Sequence, residues 1–390
     1  MLTVTKNLVL PTTITGSYPK PQWHSLDLQG RAFKEAMGHS LFREQYLDVV
    51  AAVVADQAAA GLDIVTDGDA RFDMAVGGKS WMFYALERIR GLTGRRDLAP
   101  NWSSKDFDIR PGHILYEVME AYQAPVVTDE LRRGPLEYSA IWKAAQKLSE
   151  RPIKFGTISA QCLVRMMWNE FYTSERDLIL ALSDIMNEEL RELATAGCPL
   201  IQIEEPRHHL ASLAPATTDR DLEFFTDAFN REVRGVNAEI WVHTCWGNPA
   251  QQRLFSPVPS YERVLPYLAQ LDADVITFEC ASSGGKDLPL IATIPAPKKV
   301  AIGVVNHTTT IVERPNEVAG LIRKALEYIP AERLVISSDC GFGREGLSRR
   351  IAFYKCVAIV QGTNIVRREL GLPEATIRAA DPLYAFSPPN

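Results

Sequence analysis

Glu239-Ile240-Trp241-Val242-His243-Thr244-Cys245-Trp246-Gly247-Asn248 joins an apolar run, a His-x-Cys pair and a Gly-Asn-Pro breaker. A short apolar run ended by such a breaker reads as a buried strand. Residues i and i+2 of a strand project to the same side. The His243 imidazole and the Cys245 thiol therefore point together where the strand runs out, as two ligands of one metal must.

The same pattern recurs on both sides of this stretch. Strands are predicted at 8–14, 62–66, 153–158, 200–204, 274–279, 299–305 and 333–337, besides 239–242. Helical spacing covers 41–60, 176–196, 219–234, 261–270, 315–328 and 347–370, with Gly61 and Gly197 as C-terminal stops. Alternation of strand and helix argues for parallel pairing. Eight such units predict an α/β fold closed as a (β/α)8 TIM barrel, a single catalytic domain over residues 1–390. No Gly-x-Gly-x-x-Gly follows an early strand, which speaks against a dinucleotide-binding sheet. Residues 72–150 break the rhythm with Gly77-Gly78, Gly94-Arg95-Arg96, Pro100, Pro111, Pro125 and Pro135. That stretch reads as a segment inserted after the second strand, laid over the barrel rim, and not as an independent domain.

Composition narrows the function classes. The chain has 42 Lys and Arg against 48 Asp and Glu, a formal charge of −6, so no basic face calls for nucleic acid. No stretch approaches the 18 or so apolar residues of a membrane span, and the N-terminus is a poor secretory signal. Six Cys in a chain this long are too few for a disulfide scaffold. A cytoplasmic protein with some thiols free and some on a metal is expected, with homo-oligomerisation left open.

In an α/β barrel the chemistry sits on loops after the C-terminal strand ends. Those ends carry Ser17, Asp67-Gly68-Asp69, Glu204-Glu205-Pro206, His243-Thr244-Cys245, Glu279, Asn306-His307-Thr308 and Asp339-Cys340-Gly341. A lone strand-end Cys is usually a small buried hydrophobe. Four donors on one rim, His243, Cys245, Glu279 and Cys340, favour a metal instead. Thiolate and imidazole select zinc. Glu279, the hardest ligand, is the one expected to yield to an incoming thiol. Metal coordination deprotonates a thiol, and a zinc that already carries two thiolates leaves the third sulfur nucleophilic. Such a site suits alkyl transfer to sulfur better than hydrolysis.

The other residues are open to two readings each. Cys280 follows Glu279 directly and faces the other way, so it packs, as do Cys198 and Cys356; Cys162 could do either. Asp67, Asp69, Glu204 and Glu205 are either solvated or hold a cation such as an ammonium group. Alternation puts Gln202 and Glu204 on one face, toward the barrel interior. Trp246 could stack on a flat donor or pack over the rim. His307 could be an acid, a base or a substrate contact. His208 and His209 read as loop residues.

Thr13-Ile14-Thr15-Gly16-Ser17-Tyr18-Pro19, Gln202-Ile203-Glu204-Glu205-Pro206, 243–248 and Asp339-Cys340-Gly341 together resemble the C-terminal catalytic barrel of cobalamin-independent methionine synthases. The resemblance spans about residues 10–370. It implies a barrel of the methionine synthase and uroporphyrinogen decarboxylase type, and zinc on His243, Cys245, Glu279 and Cys340 that binds the homocysteine thiol. It also implies that Ser17, Asp69 and Glu204 hold the amino-acid end. Methyl would come from a methyl-folate or a methyl-corrinoid protein. The chain has room for one barrel, where the full-length family enzyme has two. Asp69 and Glu204 exchange carboxylate lengths against the family pattern, and Thr308 stands where the family has a proton-donating His. The rival readings are an epoxyalkane:coenzyme M-type thiol transferase and a non-catalytic barrel that binds zinc or a thiol. A uroporphyrinogen-type decarboxylase needs no zinc, so the ligand set speaks against it.

Overall fold

The computed structural model describes residues 1–28, 30–72, 83–98, 111–247, 255, 257–343 and 347–386. Gly77-Gly78, Pro100 and Asn248 lie outside the described residues. The main sheet has seven parallel strands in the order β1 (Val65–Thr66), β4 (Ile153–Ile158), β6 (Leu200–Glu204), β7 (Glu239–Thr244), β8 (Val275–Phe278), β9 (Lys299–Gly303) and β10 (Leu334–Ser337). A second sheet joins β2 (Arg90–Asp97), β3 (Gln123–Arg132) and β5 (Trp168–Asn169), with β2 and β3 antiparallel.

The predicted first strand takes an unusual form. It makes a single bridge, Thr12 to Ile336. Thr13 N–H donates to Ile336 O at 2.9 Å and Ile336 N–H to Pro11 O at 2.8 Å. On its other side Ile64 N–H donates to Thr12 O at 3.1 Å. Residues 11–13 thus tie the β10 edge to the β1 edge and close the barrel. A longer ladder does not form there because Pro11 has no N–H and the Asp63 carboxylate takes the Thr12 N–H at 2.8 Å.

Helices cover the outside. Ser40–Ala60 stops at Gly61, which adopts the left-handed conformation at φ 91°. Glu175–Thr195 starts at Ser174, whose hydroxyl accepts the Asp177 N–H. Asp219–Glu232, Pro315–Leu326 and Arg349–Glu369 follow the predicted spans closely. The span predicted at 261–270 shrinks to Leu265–Leu268. Tyr261 is used as an anchor instead: Asp287 accepts its N–H at 3.1 Å, and its hydroxyl donates to Thr244 O at 3.0 Å.

Inside the barrel, Ile64, Leu200, Trp241, Val275, Ala301 and Val335 form a buried apolar plug, with Leu2 and Val4 packed against it. Glu239 holds that N-terminal segment by accepting the Thr3 and Thr5 N–H groups at 2.8 and 3.0 Å. The plug closes the N-terminal end, so polar side chains collect toward the opposite rim. No helix among the described residues is long and apolar enough to cross a membrane.

The closure depends on Asp63, which also accepts from Arg367 at 2.7 Å. Asp63→Ala leaves that guanidinium and the Thr12 N–H without their acceptor. Denaturant unfolding is expected to read a loss of about 2 kcal/mol, with Asp63→Asn losing less.

Candidate metal centre

His243 and Cys245 stand two residues apart at the end of β7, and Cys340 follows β10. Their donor atoms lie within 4.8 Å of one another, and all three residues are buried. The two sulfurs are 3.7 Å apart. Two thiolates on one tetrahedral zinc, each about 2.3 Å from the metal, would stand about 3.8 Å apart. His243 Nε2 is buried and makes no hydrogen bond. An orphaned imidazole nitrogen beside two thiols is a donor set without its acceptor, and the residues fit a soft divalent metal.

The ligands are held from behind. His243 Nδ1 meets Thr277 Oγ1 at 2.6 Å, its partner across the β7–β8 register. With Nδ1–H donating to that oxygen, the Nε2 lone pair faces the sulfurs. Thr244 Oγ1 donates to Thr277 O at 2.6 Å and fixes the same strand pair. Ser338 Oγ donates to Cys340 O at 2.8 Å. The Asp339 carboxylate accepts the N–H groups of Cys280, Ala281 and Ser282 at 2.7–2.9 Å. It thereby anchors the loop that carries Glu279. Glu279 is buried but stands outside the three-atom donor group. Its carboxylate accepts the Trp246 N–H and the Ser282 hydroxyl, both at 3.0 Å.

The charges are strongly perturbed. The Cys245 contact, helped by His243 and His307, holds the Cys340 thiol well below its usual range against its burial. The same contact and burial push Cys245 up. Burial pushes Glu279 and Glu204 up; Asp339 and Cys340 add to the first, while His243 opposes the second. Burial raises Asp339 to about 6 against the pull of its three N–H partners.

A second group of acids lies on the same rim. Asp69 and Glu204 line one cavity, with Gly156 and Thr157 of β4 between them. Asp69 sits at φ 53° and accepts from Arg71 at 3.2 Å. Arg71 also donates to Gly156 O at 2.6 Å and lies over the Phe72 and Phe155 rings. Glu204 Oε1 accepts from Gln202 at 2.7 Å, and Oε2 lies 3.6 Å from His243 Nε2. Ser17 is half-buried, and its hydroxyl accepts the Gly343 N–H at 3.2 Å. A Cβ at Gly341 would meet that hydroxyl at 2.2 Å, so only glycine allows the approach.

His307 is buried, and it lies near enough to Cys340 to favour the thiolate form. Trp246 is buried against His209 and Tyr261, with ring centroids 4.7 and 4.8 Å away. Both contacts are with rings beside the ligand strand. His208 and His209 are not in an exposed loop. They lie buried on the helix Arg207–Ser212. His209 Nε2 reaches the Cys245 carbonyl, and burial lowers its pKa to about 3, so it is neutral and donates. Cys162 is buried 4.0 Å from Glu205; Cys198, Cys280 and Cys356 are buried, free thiols. Thr277 and Lys154 carry no sequence-based assignment. Period-two spacing from Glu279 pointed to Thr277, and a lysine within the apolar strand 153–158 was a signal in itself.

Residues 112–359 match the family described as cobalamin-independent synthase, catalytic domain. The methionine synthase of Saccharolobus solfataricus is 33% identical over 365 residues, 93% of this chain and 96% of that protein. That of Thermococcus kodakarensis is 31% identical, over 93% and 95%. Among solved structures, a B12-independent methionine synthase from Shewanella sp. W3-18-1 in complex with selenomethionine superposes with a TM-score of 0.74. It is 25% identical, over 93% of this chain and 99% of that one.

Thr277→Val keeps the strand and removes only the Nδ1 partner. Metal titration is expected to show affinity lowered by about 10- to 100-fold. An unchanged affinity would mean that Thr277 does not orient His243.

Proposed function

The chain belongs to the cobalamin-independent methionine synthase family, and from that premise we propose that it is a zinc-dependent S-methyltransferase acting on the thiol of homocysteine. The buried His243, Cys245 and Cys340 group, with sulfurs 3.7 Å apart, carries this reading. His243, Cys245 and Cys340 would hold zinc, with Glu279 as a fourth, oxygen ligand. When bound, zinc supplies the charge that keeps an incoming thiol deprotonated at neutral pH. Glu279 has the Trp246 N–H and the Ser282 hydroxyl to hold its carboxylate when it gives up its place.

Ser17, Asp69 and Glu204 would hold the amino-acid end. Two buried carboxylates on one cavity suit an ammonium group. The selenomethionine in the Shewanella relative carries an ammonium, a carboxylate and a methylated chalcogen, the same groups in one molecule. A thiol ending in a sulfonate would offer these two carboxylates no hydrogen-bond donor, and Arg71 is already paired with Asp69, which disfavours the coenzyme M-type alternative. His307, beside Cys340, is the candidate to pass a proton to the departing donor. Methyl would come from a methyl-folate or a methyl-corrinoid protein. We take residues 1–390 as one catalytic barrel, with 72–150 as its rim segment, working in the cytoplasm.

The purified chain is expected to hold one zinc, with X-ray absorption reading two sulfurs, one nitrogen and one oxygen. Homocysteine should replace the oxygen by a third sulfur, and methionine should form once a methyl donor is supplied. Zinc unaltered by homocysteine, with no methionine from methyltetrahydrofolate or a methylcorrinoid, would leave a barrel that binds metal without turnover.

A further inference from the structure

Lys154 is an unexplained charge. It stands on β4, 1% exposed; burial lowers its pKa to about 7, opposed by the nearby Glu204 and Asp69 carboxylates. Taking an ammonium out of water costs several kcal/mol unless it is well held. Here Nζ lies over the Trp241 ring at 4.6 Å and donates to Ile14 O at 2.7 Å and to Gln202 Oε1 at 2.6 Å.

The Gln202 contact has a directional consequence. A side-chain amide can present either end, but an ammonium only donates. The Gln202 oxygen must therefore face Lys154, and its NH2 must face the other way. That NH2 donates to Thr15 O and to Glu204 Oε1, both at 2.7 Å. With Oε1 engaged, Glu204 Oε2 is left facing His243 Nε2, 3.6 Å away. On the other side, the carbonyls of Ile14 and Thr15 are both gripped by the Lys–Gln pair, immediately before Gly16-Ser17. One buried pair thus holds the Glu204 side chain and the backbone that leads into Ser17.

We propose that Lys154 is a positioning residue for the amino-acid end of the substrate, acting on Glu204 through the oriented amide of Gln202. This rests on the reading of Glu204 as a partner of the substrate ammonium. Without Lys154 the Gln202 oxygen loses its donor; Thr15 O and Glu204 Oε1 still accept from the NH2, but the amide is no longer braced from behind and Glu204 is held less firmly.

The test compares binding of homocysteine and of 4-mercaptobutyrate, which is homocysteine without its amino group, to the zinc-loaded protein. Lys154→Met and Gln202→Met are each expected to weaken homocysteine by about 10-fold or more. Zinc content and 4-mercaptobutyrate affinity should stay within about twofold. Lys154→Arg should recover most of the loss, and the double variant should be no weaker than either single one. Equal weakening of both thiols, or loss of zinc, would make Lys154 a structural residue and overturn the inference. If Glu204→Gln removes the preference for homocysteine while Lys154→Met and Gln202→Met keep it, the inference alone fails. If Glu204→Gln keeps the preference, the reading of Glu204 fails and takes the inference with it. Should Lys154→Met not fold, Gln202→Met, which removes no charge, carries the same comparison.

Discussion

Cys245 and Cys340 follow strands three places apart in the sheet, yet their sulfurs are 3.7 Å apart. In a flat sheet three strand spacings amount to about 14 Å. Only a sheet curled on itself lets the two thiols meet across its interior. That curl is fixed where Thr12 joins Ile336 on one side and Ile64 on the other. The donor group is therefore a product of closure. Neither β7 nor β10 contains a site by itself, and the third donor, His243, is placed by the same curl through its β8 neighbour Thr277.

The barrel interior is short of positive charge. Glu204, Glu279 and Asp339 are all pushed toward their neutral forms by burial, and Cys245 is pushed up beside Cys340. Against them stand Lys154, whose pKa burial lowers to about 7, and the His243 imidazole, whose pKa rises against its burial because of Glu204 and Cys340. His209 is held neutral. Buried acids in such excess are costly unless something offsets them. A divalent cation between His243, Cys245 and Cys340 would do so and would let both thiols ionise. The Asp69 side is balanced differently, because Arg71 lies within 4 Å of both Asp67 and Asp69. The metal side lacks such a resident partner.

The barrel was legible because its strands are short apolar runs with polar ends, and seven of the eight predicted runs contain a ladder strand. The exception, 8–14, was misjudged in form because Pro11 and the reach of Asp63 decide its bonding, and only the first is visible in the sequence. Period two paired His243 with Cys245 and Gln202 with Glu204. It could not supply cross-strand register, which brings Thr277 to His243, nor long reach, which brings Lys154 to Gln202 and His209 to Cys245. Residues 90–132 resisted reading for a local reason. β2 and β3 pair with register shifts at Arg90/Leu92 and Thr93/Arg95, and such shifts erase the alternation that marks a strand.

The exchanged lengths of Asp69 and Glu204 follow from their surroundings. A Cβ at Gly16 or at Gly156 would lie 3.3 Å from an Asp69 oxygen, so its carboxylate is already lodged between two backbone surfaces and Arg71. One more methylene, about 1.5 Å of chain, would have to push out toward the substrate. Glu204 stands across Gly156, on β6, where the longer chain brings Oε2 to 3.6 Å from His243 Nε2. Asp69 is thus held back beside β1, while Glu204 reaches inward from β6. The longer Glu204 also needs more support than a short acid would. Its tip accepts from Gln202 through Oε1 and faces His243 Nε2 through Oε2, so the amide of Gln202, braced on its far side by Lys154, sets one of its two holds.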